Sequence, residues 1–153
     1  MTMIMDDRYG RLPDPDDRTE AGYYRGVNTR RLLAWVVDAF LILIIGSFLI
    51  PFTVFTAFLF LPVFFLIVGF VYRVLTLTTG SATLGMRIMG IEMRHIDGTK
   101  LEFKTAFWHT LLYSIAIAVS PLQLISVIMM IVTDHKQGLH DMILGTAPIR
   151  TKA

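Results

Sequence analysis

Apolar side chains run without a charged interruption from residue 39 to 72 and again from 105 to 133, and polar segments surround both runs. Uncharged apolar stretches of about 18 or more residues read as membrane spans. With its nearly apolar flanks, the first run covers residues 32–79. One straight helix of that length would measure about 72 Å at 1.5 Å per residue, against the ~30 Å of a bilayer core. The chain therefore has to fold back. Pro51 is the natural break, because proline lacks the backbone donor and disturbs the preceding turn. The pattern predicts a first span over residues 31–50, a turn around 51–53 and a second span over 55–78. Asn28 or Thr29 is placed to cap the first helix. Pro62 falls inside the second span and predicts a kink there.

The intervening segment, residues 80–104, is polar. From Met86 to Phe103 it alternates in part with a two-residue period around Asp97-Gly98, a turn dipeptide. This predicts a small β-hairpin, residues 87–95 paired with 100–103, against the alternative of an irregular amphipathic loop. The second apolar run, residues 105–133, carries Ser120-Pro121 at its middle, and neither half is long enough to span by itself. It is either one tilted span or a broken helix that dips in and returns. The fold class that follows is an all-α membrane protein: a two-span helical hairpin, a third broken or re-entrant apolar helical segment, and a small cytoplasmic β-hairpin.

Composition sharpens this picture. Hydrophobic residues make up 54% of the 153 and charged residues only 17%, where a soluble domain carries about 25% charge. A water-soluble enzyme is excluded on that basis. Cysteine is absent, so disulfide scaffolds, thiol catalysis and Fe–S clusters are excluded too. The charges are segregated. Residues 1–20 hold Asp6, Asp7, Asp14, Asp16, Asp17 and Glu20 against three arginines, with Pro13 and Pro15 among them. Residues 1–22 therefore read as a disordered, exposed acidic arm, and residues 23–153 as one membrane domain. Tyr23, Tyr24, Arg25, Arg30 and Arg31 lead into the first span. Arg87, Arg94, Lys100 and Lys104 occupy the polar loop, and Lys136, Arg150 and Lys152 the tail. Tyrosine favours the membrane interface, and Lys/Arg beside spans marks the cytoplasmic side. The turn at 51–53 has no charge. The N-terminus, the loop and the tail are thus expected in the cytoplasm. A returning third segment satisfies the same rule. The basic residues flank apolar segments, so the sequence pI near 9.1 points to topology and not to nucleic acid.

Two charges escape this segregation. Asp38 lies seven residues beyond Arg31, and Arg73 seven residues before Gly80, each about 10 Å along its helix. In antiparallel helices the two come out level. Ionisable residues within a span normally face a partner or a water-filled cavity. A network of Arg31, Asp38 and Arg73, with an Asp38–Arg73 pair, is the simplest expectation. It would serve either as an ion or proton station or as a structural lock. Asp134, His135, His140 and Asp141 flank the end of the last apolar run. Imidazole and carboxylate can bind metal, but the five-residue His spacing does not put both on one helix face, so no metal is assigned. His109 reads as a core or interfacial histidine. No phosphate-binding loop or nucleophile elbow is present, and no catalytic residue or cofactor is expected.

Three blocks then carry a resemblance. They are Arg31-x-x-Ala34-x-x-x-Asp38; Thr83-x-Gly85-x-x-x-x-Gly90-Ile91; and Asp134-x-x-x-x-Gly138-Leu139-His140-Asp141 with Gly145-Thr146. In order and spacing they resemble the RDD family of prokaryotic membrane proteins, over about residues 25–150. The resemblance implies that Arg31, Asp38 and Asp134 are the positions for which the family is named, and that His140 and Asp141 form its closing block. The chain departs from the family pattern at Met86, where a basic residue is common, and at Ala147-Pro148-Ile149, where proline weakens a strand unless it lies at an edge. The function expected is a contribution to transport of an ion or small solute in the inner membrane of a prokaryotic cell, carried out as a homo-oligomer or with a membrane-protein partner. The alternative is a non-transporting scaffold or regulator. An enzyme is not expected.

Overall fold

The computed structural model describes residues 12–53 and 56–152. Helix α1 (Val27–Leu49) starts after Gly26, whose φ of +68° suits glycine, and ends in a 3-10 turn, Ile50–Thr53, that contains Pro51. A second 3-10 turn, Thr56–Phe60, leads into α2 (Leu61–Gly80). The fold-back at Pro51 is as expected. Pro62 does not kink a span. It sits in the first turn of α2, where no partner is needed for its missing N–H and its fixed φ suits the helix start. Both helices are long and apolar enough to cross a membrane. Their outer side chains stand open: Phe48 is 72% exposed and Leu75 58%. Surface of that kind belongs in lipid. Where α1 and α2 touch, small residues let them approach. A Cβ on Gly46 would overlap the Phe65 ring, and one on Gly69 would reach Ile42 at 3.4 Å.

The third apolar run is two helices, α4 (Phe103–Ala118) and α5 (Ser120–Val132), set at 116° to each other across Val119. Pro121 occupies the first turn of α5, and Val119 is extended (φ −110°, ψ 91°). Pro121 has no N–H for a carbonyl four residues back and its ring clashes there, so α4 cannot run on through it and the bend follows from the sequence. The far end of α5 comes back to the beginning of α1: Asn28 Nδ2 donates to the Met130 carbonyl at 2.8 Å. A short helix, α6 (Leu139–Leu144), packs on both α4 and α5 and stops at Gly145, φ +61°. The start of α1, the end of α2, the start of α4 and the end of α5 thus gather at one end of the molecule.

That end carries a small polar subdomain. Helix α3 (Leu84–Ile88) precedes β1 (Ile91–His95), and β2 (Thr146–Arg150) follows α6. The expected hairpin of 87–95 with 100–103 is not formed. The chain does turn at Asp97-Gly98, with His95 N–H on the Thr99 carbonyl, yet only an isolated Arg94–Lys100 bridge follows. The partner of β1 is instead β2, antiparallel, with Met93 opposite Pro148. Met93 N–H points away from β2, to the Ser81 carbonyl at 2.7 Å. The pair is therefore a non-hydrogen-bonded one, and the proline removes no ladder bond.

β2 prevails because Ala147 and Ile149 face an apolar cluster with Tyr24 and Leu12. Part of the acidic arm packs here. Leu12 is buried, its N–H donates to the Ile96 carbonyl, and Tyr24 Oη donates to the Pro13 carbonyl at 2.8 Å. Residues 1–11 of that arm lie outside the described residues.

Candidate functional site

Asp38 is 1% exposed and does not pair with Arg73. Its carboxylate accepts three hydrogen bonds: from Tyr72 Oη (2.7 Å) and Gly85 N–H (2.9 Å) on Oδ1, and from Thr83 Oγ1 (2.5 Å) on Oδ2. Thr83 caps α3 by accepting from Met86 N–H. The carboxylate thus lies on the first turn of α3, where the helix dipole and free N–H groups favour a negative charge. Gly85 is required for the approach, since a Cβ there would collide with the Ala34 carbonyl and the Asp38 carboxylate. Two of the three sequence blocks therefore meet face to face.

Arg31 joins the third block. Its Nη1 donates to Asp141 Oδ2 at 2.6 Å and to the Lys136 carbonyl at 3.2 Å. Asp141 is fully buried. It also accepts from Gly138 N–H at 2.9 Å on Oδ2, and His109 Nε2 lies 2.7 Å from Oδ1. Burial alone would raise its pKa, but the Arg31 guanidinium and the His109 hydrogen bond hold it well below the usual carboxylate range. It is a permanent anion tied to a permanent cation. His109 Nε2 must then be the donor to it.

His140, also on α6, behaves differently. Burial pushes its imidazole down to about 3, so it is neutral at pH 7. Its Nε2 is 3.4 Å from Asp141 Oδ1, yet neither ring nitrogen has a hydrogen-bond partner among the described residues. A neutral ring at that distance makes no ion pair. It packs edge-on against His109, ring centroids 4.7 Å apart, and against Tyr113.

Arg31, Asp38, Thr83, His109 and His140 border one cavity of about 560 Å³, lined by side chains from α1, α2, α4, α5 and α6. Arg31, Asp38 and Arg73 all line it, so the expected network shares a cavity without forming direct pairs. Arg73 lies over the Tyr113 ring, 4.5 Å from its centroid, a cation–π arrangement. Tyr113 Oη accepts from Trp35 Nε1 at 2.7 Å. Asp134 takes no part: it is exposed in the turn after α5. His135 turns away onto Tyr24, 5.3 Å between ring centroids. The aspartate that meets Arg31 is Asp141.

His109, His140 and Asp141 offer three ligand atoms within 4.8 Å of one another, a compact donor set for a metal ion. The charges around it argue otherwise. Arg31 already balances Asp141, and Arg73 faces the same cavity, so a divalent cation would add uncompensated positive charge in a buried place. Tyr72, Tyr113 and Gln123 were not singled out from the sequence. Thr83 and Gly85 stood there as part of the middle block, and Asn28 only as a candidate cap for α1, a position that Gly26 takes instead.

Compared with known proteins, residues 25–145 match the model of the RDD family. No curated protein and no solved structure matches the chain.

Proposed function

The chain belongs to the RDD family, and from that premise we propose that this membrane protein contributes to the movement of an ion or small solute across a prokaryotic inner membrane. The observation that supports the reading is the cavity. It holds two arginines, a carboxylate and a neutral histidine beside helices whose outer faces are apolar. Polar groups at that depth are costly and commonly mark a substrate path. In this reading α1 and α2 span the bilayer, and α4 and α5 form a re-entrant pair. The two termini and the β1–β2 sheet lie in the cytoplasm. The return of α5 to Asn28 and the crowding of Lys and Arg at one end support that placement. Two spans enclose no complete path, so the working unit is a homo-oligomer or a complex with another membrane protein. No nucleic acid and no catalysed reaction enter the reading.

The second reading, a non-transporting scaffold or regulator, is favoured by one observation. Asp38 and Asp141 each have their hydrogen bonds filled from within the chain, as structural locks do. Reconstitution of the purified protein into vesicles separates the two. Ion or solute flux that is lost in Arg73→Gln supports transport. A stable complex with a membrane partner and no flux from either supports the scaffold.

A further inference from the structure

Leu32 and Trp35 on α1 and Val127 and Ile131 on α5 line the cavity, and all four are exposed, which puts a side mouth between them. α1 and α5 are tied by the Asn28–Met130 hydrogen bond at one end. On a helix whose outer face sits in lipid, an opening of this kind faces the bilayer.

Inside, the polar groups are unfinished. The Arg73 side chain makes no hydrogen bond and no ion pair among the described residues. Its guanidinium lies over the Tyr113 ring, which leaves its N–H donors free. Asp38 does not neutralise it directly, being engaged by Tyr72, Thr83 and Gly85. Three further side chains bordering the cavity carry buried polar atoms without a partner: His140 at both ring nitrogens, Gln123 at Oε1 and Asn28 at Oδ1. His140 is 97% buried by its 3% exposure. Buried polar atoms are rarely left unpaired without cause. The unmet demand is specific. Arg73 and the His140 N–H require acceptors, while Gln123 Oε1, Asn28 Oδ1 and the second His140 nitrogen require donors. A single ion supplies one kind only and would leave most of about 560 Å³ unfilled, since one water occupies about 30 Å³.

We propose that the cleft between α1 and α5 binds the headgroup of an anionic bilayer phospholipid, its phosphate on Arg73 and its hydroxyl groups on Gln123 and Asn28, with the acyl chains leaving through the Trp35–Val127 mouth. A phosphodiester provides acceptor oxygens and one negative charge. A glycerol headgroup provides the donors. The apolar rim suits the first carbons of the chains. Arg73 lies about 10 Å from the cytoplasmic end of its helix, a depth a phosphate reaches from the interface along the cavity. The inference rests on the membrane placement proposed above and not on flux.

Trp35 at the mouth reports occupancy directly. Of the two tryptophans, the other is removed by Trp108→Phe, and the protein is placed in vesicles containing brominated phosphatidylglycerol or brominated phosphatidylcholine. The expected result is preferential quenching of Trp35 by the anionic lipid, equivalent to about a fivefold tighter association. Arg73→Gln should bring the ratio near one and Arg73→Lys should restore part of it. Lys104→Gln, a cation away from the cleft, should leave it unchanged. Val127→Trp fills the mouth from the opposite wall, so with excitation read in a Trp35→Phe background the new tryptophan should show no lipid preference. That variant keeps the question open to test if Arg73→Gln fails to fold. Equal quenching by the two lipids would overturn the proposal. So would a preference that survives both Arg73→Gln and the filled mouth, or relief of quenching by millimolar glycerol phosphate, which would assign the cleft to a soluble anion. A wild-type protein that does not insert into vesicles would instead overturn the membrane placement.

Discussion

Arg31 and Asp141 are separated by 110 positions in the chain and by 2.6 Å in space. The contact ties the beginning of α1 to α6, and α6 in turn rests on α4 and α5. Everything that lies between them in sequence, including both long apolar helices, is a loop closed by this one pair. Asp141 is fully buried and Arg31 nearly so, at 0% and 11% side-chain exposure, so solvent screens the pair little.

Removing one partner is expected to be severe. Arg31→Met leaves the Asp141 carboxylate buried without its cation, a loss of about 3–5 kcal/mol, read as a lowered unfolding temperature in detergent. Replacing both, as Arg31→Met with Asp141→Leu, should recover part of that loss, because no lone charge remains buried. A single substitution that leaves the unfolding temperature unchanged would contradict the closure described here.

Asp38 should be coupled to Thr83 and not to Arg73. In double-mutant cycles of stability, Asp38→Asn with Thr83→Val is expected to give an interaction of about 1–2 kcal/mol, the scale of a hydrogen bond to a charged group. Asp38→Asn with Arg73→Gln should give less than about 0.5 kcal/mol. The reverse order would restore the Asp38–Arg73 pair that the sequence suggested.

Two glycines should respond to alanine for different reasons. At Gly85 the added methyl group meets the Ala34 carbonyl and the Asp38 carboxylate, and overpacking of that kind costs about 1–3 kcal/mol or more. At Gly26 nothing lies within 4 Å, but φ is +68°, so the cost is conformational, about 1 kcal/mol. Comparable and negligible effects at both sites would show that α3 does not sit against α1 as described.

The hydropathy pattern was enough for both long helices, the fold-back at Pro51 and the break near Pro121, because each follows from composition and from proline's missing donor. Asp38 and Arg73 stood out as charges inside apolar helices. Their partners did not, because depth along a helix says nothing about direction around it. Arg73 is level with Asp38, but Tyr72, one residue and about 100° away, is the side chain that reaches it. The strand at 91–95 was visible as alternation. Its partner was not, because the choice between residues 100–103 and 146–150 is made by Leu12 and Tyr24, which bury Ala147 and Ile149. The resemblance put Asp134 among the name-giving positions and Asp141 in the closing block, and only the turn of α6 decides which carboxylate points at Arg31.

Acid should weaken the protein through His140. Its folded pKa is about 3 against an ordinary value of 6.5, so between those limits the unfolded chain binds a proton that the folded one does not. Stability is then fully present above pH 6.5 and falls as the pH drops toward 3, by up to about 1.4 kcal/mol per pH unit. Asp141, held below 3.8, adds its own loss only below that value. Unfolding profiles of wild type and His140→Phe between pH 7 and 4 should diverge, with the variant the flatter. Parallel profiles would mean that His140 takes up its proton as readily in the folded chain as in the unfolded one.

The central claim is that Arg31 and the Asp141 block share one membrane face, which requires the α4–α5 pair to return to the side it left. Because the chain contains no cysteine, single cysteines report position without background. Thr53→Cys and Lys152→Cys, placed separately in the chain and treated with a membrane-impermeant maleimide on intact spheroplasts, test it most directly. The account predicts labelling at position 53 in intact cells and at position 152 only after permeabilisation. Labelling of Lys152→Cys from outside intact cells would contradict it.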